Sequence, residues 1–444
     1  MLFTIFAILS LLATRIYCLA QPLLNDAPQS IYALLVAGSN GISNYRHQAD
    51  VAHAYHLLIE KGVPAENIVT MMYDDVAYDP KNPHPGELRN IQNGPDYRKG
   101  MKVDYRTTAV NKYVFEAVLT GNSARAALYG GSGRVLKSTS ADNVFIFYSD
   151  HGAYNILGMP SGPPITKSDL QNYINAARNA GKFHKLSMYV EACESGSILE
   201  GFEKDDRVNG LTASSATEDS YACNCAGAIC YADLFSYKWM TNSEQHNLMG
   251  FSVQEQYSDV KKEVHSSTVQ IFGSTAVTNE PVGYFQGTKP SRNVLAVMVN
   301  SSSENKVVSI RDVPIHMLVM SAEGVQEDKR VSDAVQQLEL AFKKRELFRN
   351  VFDTLHQLIR ESINEHQGDF ELNKELRDHC YETLVLQFDE HCFPLRNNAF
   401  AFGSLRRFRS LCVKTNSNVI QRAIDTMRLY CRRNSLVVDV QGVE

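Results

Sequence analysis

The sequence predicts an α/β protein, a mainly parallel sheet flanked by helices, followed by an all-helical, disulfide-stapled C-terminal domain. Three observations carry this reading. Short apolar runs rich in β-branched and aromatic residues alternate with stretches of helical spacing across residues 31–272, the pattern of strands buried on both faces and linked by helical crossovers. Beyond residue 330 the apolar period is helical. Cys380, Cys392, Cys412 and Cys431 crowd into that last stretch and suit two bridges whose pairing the spacing leaves open.

Each element follows from local composition. Residues 2–13, LFTIFAILSLLA, are almost wholly apolar but too short to span a bilayer. Cys18-Leu19-Ala20 then offers small residues for cleavage, so residues 1–20 read as a signal peptide for the secretory pathway, although Arg15 follows the apolar core instead of preceding it. Ile31–Ala37 is the first strand and ends in the turn cluster Gly38-Ser39-Asn40-Gly41. Ala49, Ala52, His53, His56, Leu57 and Ile59 stand at helical spacing. His53 and His56 could form half of a metal site, but no third ligand is evident.

Ile68–Tyr73 is the second strand, and a polar, Pro- and Gly-rich loop runs from Asp74 to Tyr105, a length typical of functional loops. A helix over Val110–Leu119 and a turn at Gly130–Gly133 come next; the turn lacks the Lys-Ser/Thr of a phosphate loop. Val144–Tyr148 and Leu186–Val190 are strands joined by a crossover helix over Lys167–Ala180, and Leu211–Ser214 and Val269–Phe272 are strand-like. Residues 21–287 thus form the α/β domain, and 288–330, without clear period, read as a linker. In 331–444, Leu338, Ala341, Phe342, Val351, Leu355, Leu358 and Ile359 recur at helical spacing.

Composition excludes several classes. A chain of 444 residues with 44% hydrophobic content can bury the cores of more than one domain. A net charge of −5 argues against a nucleic-acid binder, which needs an excess of Lys and Arg. After the signal, no run reaches the roughly 18 apolar residues of a membrane helix, so no integral membrane segment is expected. Cys223, Cys225 and Cys230 cluster without a fourth zinc ligand at usual spacing, which favours a Cys225–Cys230 loop bridge. Neither a metal nor a cofactor is indicated. Asn300-Ser301-Ser302 is a glycosylation sequon. Arg396, Arg406, Arg407, Arg409, Lys414, Arg422, Arg428, Arg432 and Arg433 stand against Asp425 alone, a basic face that is either solvated or docked on the acidic first domain.

Two of the apolar runs end in reactive side chains. Val144–Tyr148 leads into Ser149-Asp150-His151-Gly152, and Leu186–Val190 into Glu191-Ala192-Cys193-Glu194-Ser195-Gly196. Open α/β sheets bind ligands at the carboxyl ends of their strands, so His151 and Cys193 pair as candidate base and nucleophile. A neighbouring imidazole brings a thiol toward its reactive thiolate. The backbone N–H groups of Gly152 and Cys193 could hold an oxyanion. The competing reading is a Cys that is only a small buried hydrophobe.

The surrounding residues are more specific. Tyr148–Gly152 and Glu191–Ser197, preceded by Ala37-Gly38-Ser39-Asn40-Gly41 and Asn44-Tyr45-Arg46-His47-Gln48-Ala49-Asp50, closely resemble the legumain family of asparaginyl endopeptidases. The resemblance covers Ile31–Gly287 and runs more loosely to the end. It implies a caspase-like fold, a Cys193–His151 dyad supported by Asn44, and a pocket of Arg46, His47, Glu191, Ser220 and Asp233 for the residue before the cut bond. A carboxamide offers one acceptor oxygen and two N–H donors. Arg46 can serve the oxygen while Glu191 and Asp233 accept from the nitrogen. Aspartate should fit only when protonated, hence at acid pH. Arg46 and Asp50 could instead be a local ion pair, and Ser220 or Asp233 a turn residue or cap.

By the same resemblance the helical domain is a prodomain that caps the cleft of a zymogen and loosens as carboxylates lose charge in acid. The implied partners are protein and peptide substrates, the chain's own prodomain and cystatin-type inhibitors. The implied compartment is the lysosome or vacuole, or the exterior. Family members that ligate peptides let an amine compete with water. Two departures stand out: Gly152-Ala153-Tyr154-Asn155, where relatives carry a small residue and Pro-Gly or similar, which points to an altered primed side; and Glu323-Gly324 near the expected activation cut, with Asn300, Asn305, Asp312 and Asp328 as alternatives. One rival is the catalytic subunit of the GPI-anchor transamidase, which shares the dyad but ends in a membrane helix. The other is a catalytically silent interaction protein, against which His151, Cys193 and Arg46 are intact.

Overall fold

The computed structural model describes residues 27–290, 307–323, 328–364, 372–413 and 417–434. The predicted signal peptide, Asn300, Asn305, Gly324 and Lys414 lie outside them. Strand β1 (Ile31–Ala37) leads through helix α1 (Tyr45–Glu60) to β2 (Ile68–Met71), and helix α2 (Lys112–Leu119) precedes β3 (Asn143–Ser149). A small antiparallel ribbon follows, β4 (Gly152–Ala153), β5 (Ile156–Leu157) and β6 (Ile165–Thr166). Helix α3 (Lys167–Asn179) then crosses over to β7 (Leu186–Glu191) and β8 (Val208–Thr212). The hairpin of β9 (Tyr221–Ala226) and β10 (Ile229–Asp233) comes next, then α4 (Leu234–Gln245), α5 (Val253–Glu263) and β11 (Gln270–Phe272).

The main sheet has the order β11-β8-β7-β3-β1-β2. Every pair in it is parallel except β11 with β8, which is antiparallel. Alternate residues of β3 enter two separate cores, Phe145 and Phe147 on one face, Val144, Ile146 and Tyr148 on the other. That is why the run reads as continuously apolar. Phe145 and Phe147 meet Trp239 of α4 edge-on at 5.8 and 5.1 Å. A Phe→Ala change at such a site costs about 3–5 kcal/mol. Helix α3 begins with a capping box in which Thr166 Oγ accepts from the Asp169 amide and Asp169 Oδ2 accepts from the Thr166 amide, worth about 1 kcal/mol.

The stretch read as a linker is partly regular. Strand β12 (Val308–Ser309) pairs antiparallel with β9 through Val308–Ala222 and Ser309–Tyr221, and helix α6 (Val313–Ala322) follows. A two-residue strand has too little period to see in sequence. The rest is helical: α7 (Asp328–Asn364), α8 (Lys374–His391), α9 (Ala399–Phe402), α10 (Arg406–Leu411) and α11 (Ser417–Arg433). Disulfides Cys380–Cys412 and Cys392–Cys431 join α8 to the end of α10 and to α11, and Cys225–Cys230 crosses the β9–β10 hairpin. The two long loops, with separations of 32 and 39 residues, give about 4 kcal/mol each in the chain-entropy account, and the hairpin loop about 2 kcal/mol.

The core of the helical domain continues into Ala153, Tyr154 and Ile156 of the ribbon, so the two domains share apolar surface beside His151. Among the described residues no helix is long and apolar enough to cross a membrane.

Candidate active site

β3 and β7 run in register, Ser149 opposite Glu191, so His151 and Cys193 each stand two residues past the last pair. Neighbouring strands lie roughly 4.8 Å apart, and the pairing persists beyond them, the Asp150 amide donating to the Glu191 carbonyl at 3.0 Å. Gly152 is required here, since a Cβ on it would lie 2.6 Å from the Cys193 carbonyl oxygen. After Cys193 the chain turns sharply, with Glu194 in the left-handed region at φ 54°. Such strain costs about 1 kcal/mol or more and concentrates at functional sites.

Asn44, at the N-cap of α1, holds the imidazole. Its Nδ2 donates to the Asn40 carbonyl at 2.8 Å, and its Oδ1 lies 2.6 Å from His151 Nε2. Because that oxygen accepts, Nε2 carries the proton and Nδ1, which has no hydrogen-bond partner, keeps its lone pair. Burial, with Arg46 and Arg311, pushes the His151 pKa well down. Cys193 Sγ accepts from the Ser220 amide at 3.3 Å. Burial pushes the thiol up to about 12, against the pull of the Arg311 guanidinium. With Cys193 only 1% exposed, this is a covered site holding a neutral thiol and a neutral imidazole.

Beside it lies a buried polar pocket. Arg46 Nε donates to Asp233 Oδ1 at 2.8 Å and Nη1 to the Ser43 carbonyl at 2.8 Å. His47 is braced by Ser39 Oγ at 2.6 Å from Nδ1, and its Nε2 stands 3.4 Å from Asp233 Oδ2. Glu191 Oε2 accepts from the amide and hydroxyl of Ser236 at 2.9 and 3.0 Å. Five buried polar atoms of the pocket remain without hydrogen-bond partners: Arg46 Nη2, His47 Nε2, Glu191 Oε1, Ser220 Oγ and Asp233 Oδ2. Burial, reinforced by Asp233, pushes Glu191 up to about 8. Burial also raises Asp233, against Arg46.

The structure therefore brings together Asn44, Arg46, His47, His151, Gly152, Glu191, Cys193, Ser220 and Asp233. The local Arg46–Asp50 pair is not formed, since Arg46 goes to Asp233 and Asp50 to Asn90. His53 is engaged by Asn90 and Glu244 at 2.9 and 2.7 Å, which occupies both ring nitrogens.

The cover includes residues that sequence reasoning missed. The Ile310 amide donates to the Ser220 carbonyl at 3.1 Å. Arg311 donates to Asp219 Oδ1 at 2.7 Å, Glu194 Oε1 at 3.1 Å and the Gly152 carbonyl at 3.2 Å. Arg406 adds a bond to Glu194 Oε1 at 2.9 Å. The one available signal was the β-branched run Val307-Val308-Ser309-Ile310 before Arg311. Tyr154, noted as a departure beside His151, meets the helical domain in this covered form. Its hydroxyl donates to Asp378 Oδ1 at 3.2 Å, and the Arg409 guanidinium lies 3.8 Å from its ring centroid.

A thiol and a correctly tautomeric imidazole at adjacent strand ends, beside a polar pocket and beneath the chain's own tail, define a cysteine peptidase in a covered form. Comparison with known proteins sharpens the class. Residues 31–288 match the model of the Peptidase C13 family. "Hemoglobinase" of Schistosoma japonicum is 35% identical over 86% of this chain and 89% of its own. "Legumain" of Canavalia ensiformis is 34% identical over 90% and 88%, and "Vacuolar-processing enzyme beta-isozyme" of Arabidopsis thaliana is 35% identical over 87% and 83%. The chain belongs to the peptidase C13, or legumain, family of cysteine peptidases.

Proposed function

We propose that the chain is an asparaginyl endopeptidase made as an acid-activated zymogen. The observation that carries this is the set of unpartnered atoms in the pocket: a donor at Arg46 Nη2, an acceptor at Asp233 Oδ2, and at Glu191 Oε1 a carboxyl oxygen that donates when protonated and accepts when ionised, the complement of a carboxamide. An apolar side chain would leave these groups unpaired, which such a pocket rejects strongly. An ionised aspartate would face Asp233, so it enters only when protonated.

Once uncovered, His151 Nδ1 takes the Cys193 proton and the sulfur attacks the carbonyl carbon after asparagine. The N–H groups of Gly152 and Cys193 face the developing oxyanion. His151 returns the proton to the departing amine as the C–N bond breaks, leaving an acyl-enzyme. Water, deprotonated by His151, then releases the acid and restores the thiol; an incoming amine forms a new peptide bond instead. The name of the Arabidopsis thaliana relative favours a vacuolar or lysosomal compartment, reached through the secretory pathway.

The sign of the acid response depends on which group is considered. His151 is held low while covered, so uncovering raises its affinity for protons, and acid favours the open form as pH falls through the ordinary imidazole range near about 6.5. Asp219 is lowered: burial raises it, but Arg311 outweighs that, so its support for the cover is lost only as pH falls below the usual carboxylate range. Glu194, and Glu382 at about 7, are raised by burial and bind protons better when covered, so they oppose opening in acid. Acid opening therefore runs through His151 first.

The test is mass spectrometry of products from peptides differing only in Asn, Asp or Leu at one position. Wild type and Cys193→Ala are compared from about pH 7 to about pH 4, with and without an added amine. Cleavage after Asn by wild type alone, with Asp gained in acid, is the expected outcome. Equal cleavage after Leu, or no gain on acidification, overturns the reading.

A further inference from the structure

Asp50 is a buried carboxyl group at the pocket with no ion pair among the described residues. Asp50, one helical turn after Arg46, is 0% exposed. Its Oδ1 accepts from Asn90 Nδ2 at 2.6 Å, and its Oδ2 from the Asp233 amide at 3.2 Å and Ser149 Oγ at 3.5 Å. Asp233 takes the Arg46 guanidinium and stands near His47. The Asp233 amide on Asp50 Oδ2 sets the two carboxyl groups side by side. Two carboxylates in contact in a dry interior, sharing one guanidinium, cannot both ionise. The proton settles on the one without the cation.

We propose that Asp50 is a neutral carboxylic acid that donates its O–H to Asp233, fixing the carboxylate so that Oδ2 is aimed at the substrate's carboxamide. Asp50 is thus a positioning residue of the specificity pocket, a role that rests on the asparagine-pocket reading. Its surroundings hold it there. Asn90 anchors it to His53 and, through His53, to Glu244, whose side chain is 31% exposed. The other titratable groups around it are Arg46 and His47 on α1, Asp233 on β10, Glu191 on β7 and Cys223 on β9. Burial, then Asp233, pushes the Asp50 pKa well up, while Asn90 pulls it down. Ionising Asp50 would set a second negative charge against Asp233 and misalign it. Ionisation of Asp50 contributes to the alkaline limb of activity on asparagine peptides, beside that of Glu191.

The test uses activated enzyme and paired Asn and Asp peptides from about pH 4 to about pH 8. Asp50→Asn supplies an N–H in place of the acid O–H, so kcat/KM on the Asn peptide stays within about threefold at acid pH. Its alkaline limb moves up by about one pH unit or more, because the group no longer titrates. Asp50→Ala removes the donor and raises KM about tenfold, with kcat little changed. Superimposable pH profiles for wild type and Asp50→Asn overturn the proposal. A second readout needs no activity. In full-length Cys193→Ala, infrared spectroscopy should show protonated-carboxyl absorption that loses one carboxyl's component on adding Asp50→Asn, Glu191 and Glu382 supplying the rest, and an unchanged absorption overturns the proposal. If wild type fails to cut after Asn, the function reading falls, and the infrared result still decides the state of Asp50.

Discussion

Glu191 and Glu194 flank Cys193 at nearly equal depth, and the structure treats them oppositely. Glu194 is complete: Oε1 takes Arg311 and Arg406, and Oε2 takes the Tyr154 amide at 3.1 Å. Glu191 is half complete, with Ser236 on Oε2 and no partner on Oε1. The contrast extends around each group. On the pocket side Arg46, Ser220 and Asp233 each leave an atom unpaired, while on the cover side Arg311 is spread over Asp219, Glu194 and the Gly152 carbonyl. Buried polar groups are nearly always paired. Missing partners on one side therefore mark where a ligand belongs, and complete pairing on the other marks where the chain's own tail is the ligand.

The pocket side breaks hardest. Arg46→Ala leaves Asp233 buried without its cation, at a cost of about 3–5 kcal/mol in stability, and removes the donor for the substrate oxygen. Cleavage after Asn should fall by about a thousandfold or more in kcat/KM. Comparing the loss on Asn and Leu peptides checks this, because a merely destabilised enzyme would lose both in proportion. Arg46→Lys keeps the charge but not the fork, so it should recover stability more than specificity.

The cover side breaks next. Arg311→Ala strands Asp219 and Glu194 and should raise the population of uncovered full-length protein about tenfold to a hundredfold. The measurement is the rate at which Cys193 is alkylated at neutral pH, located by mass spectrometry so that buried Cys223 is not counted. An unchanged rate would mean that Arg311 only decorates the interface.

The same contrast explains what was legible in the sequence. Val144–Tyr148 and Leu186–Val190 were readable because strands buried on both faces leave continuous apolar runs, and His151 and Cys193 because they stop those runs abruptly. The start of α1 was not, since Arg46, His47 and Asp50 break the apolar period in order to face the site. The β9–β10 hairpin was hidden because Cys223, Asn224 and Cys225 give it no alternating pattern. Strand β12 and Arg311 looked like linker because their partners, Tyr221, Ala222 and Glu194, are far away in sequence. Tyr154 was noticed as a departure, but its partners Asp378 and Arg409 come from the other domain. The His151–Cys193 pairing could be read because each strand announces its own end; pairings that join distant segments without such a marker could not.

The smallest effect separates the two cations on Glu194. Arg406 reaches the same oxygen as Arg311, but its side chain is 53% exposed. Water and salt screen such a group, and exposed ion pairs contribute about 0–1 kcal/mol. Arg406→Ala should therefore speed Cys193 alkylation by no more than about fivefold, and added salt should narrow the gap from wild type. Arg311→Ala should keep most of its effect in salt, because its bonds to Glu194 and the Gly152 carbonyl are buried. If Arg406→Ala matched Arg311→Ala, Glu194 would be the latch and either cation would serve. A small, salt-sensitive effect instead assigns the latch to the buried triangle of Arg311, Asp219 and the Gly152 carbonyl, with Glu194 as its outer edge.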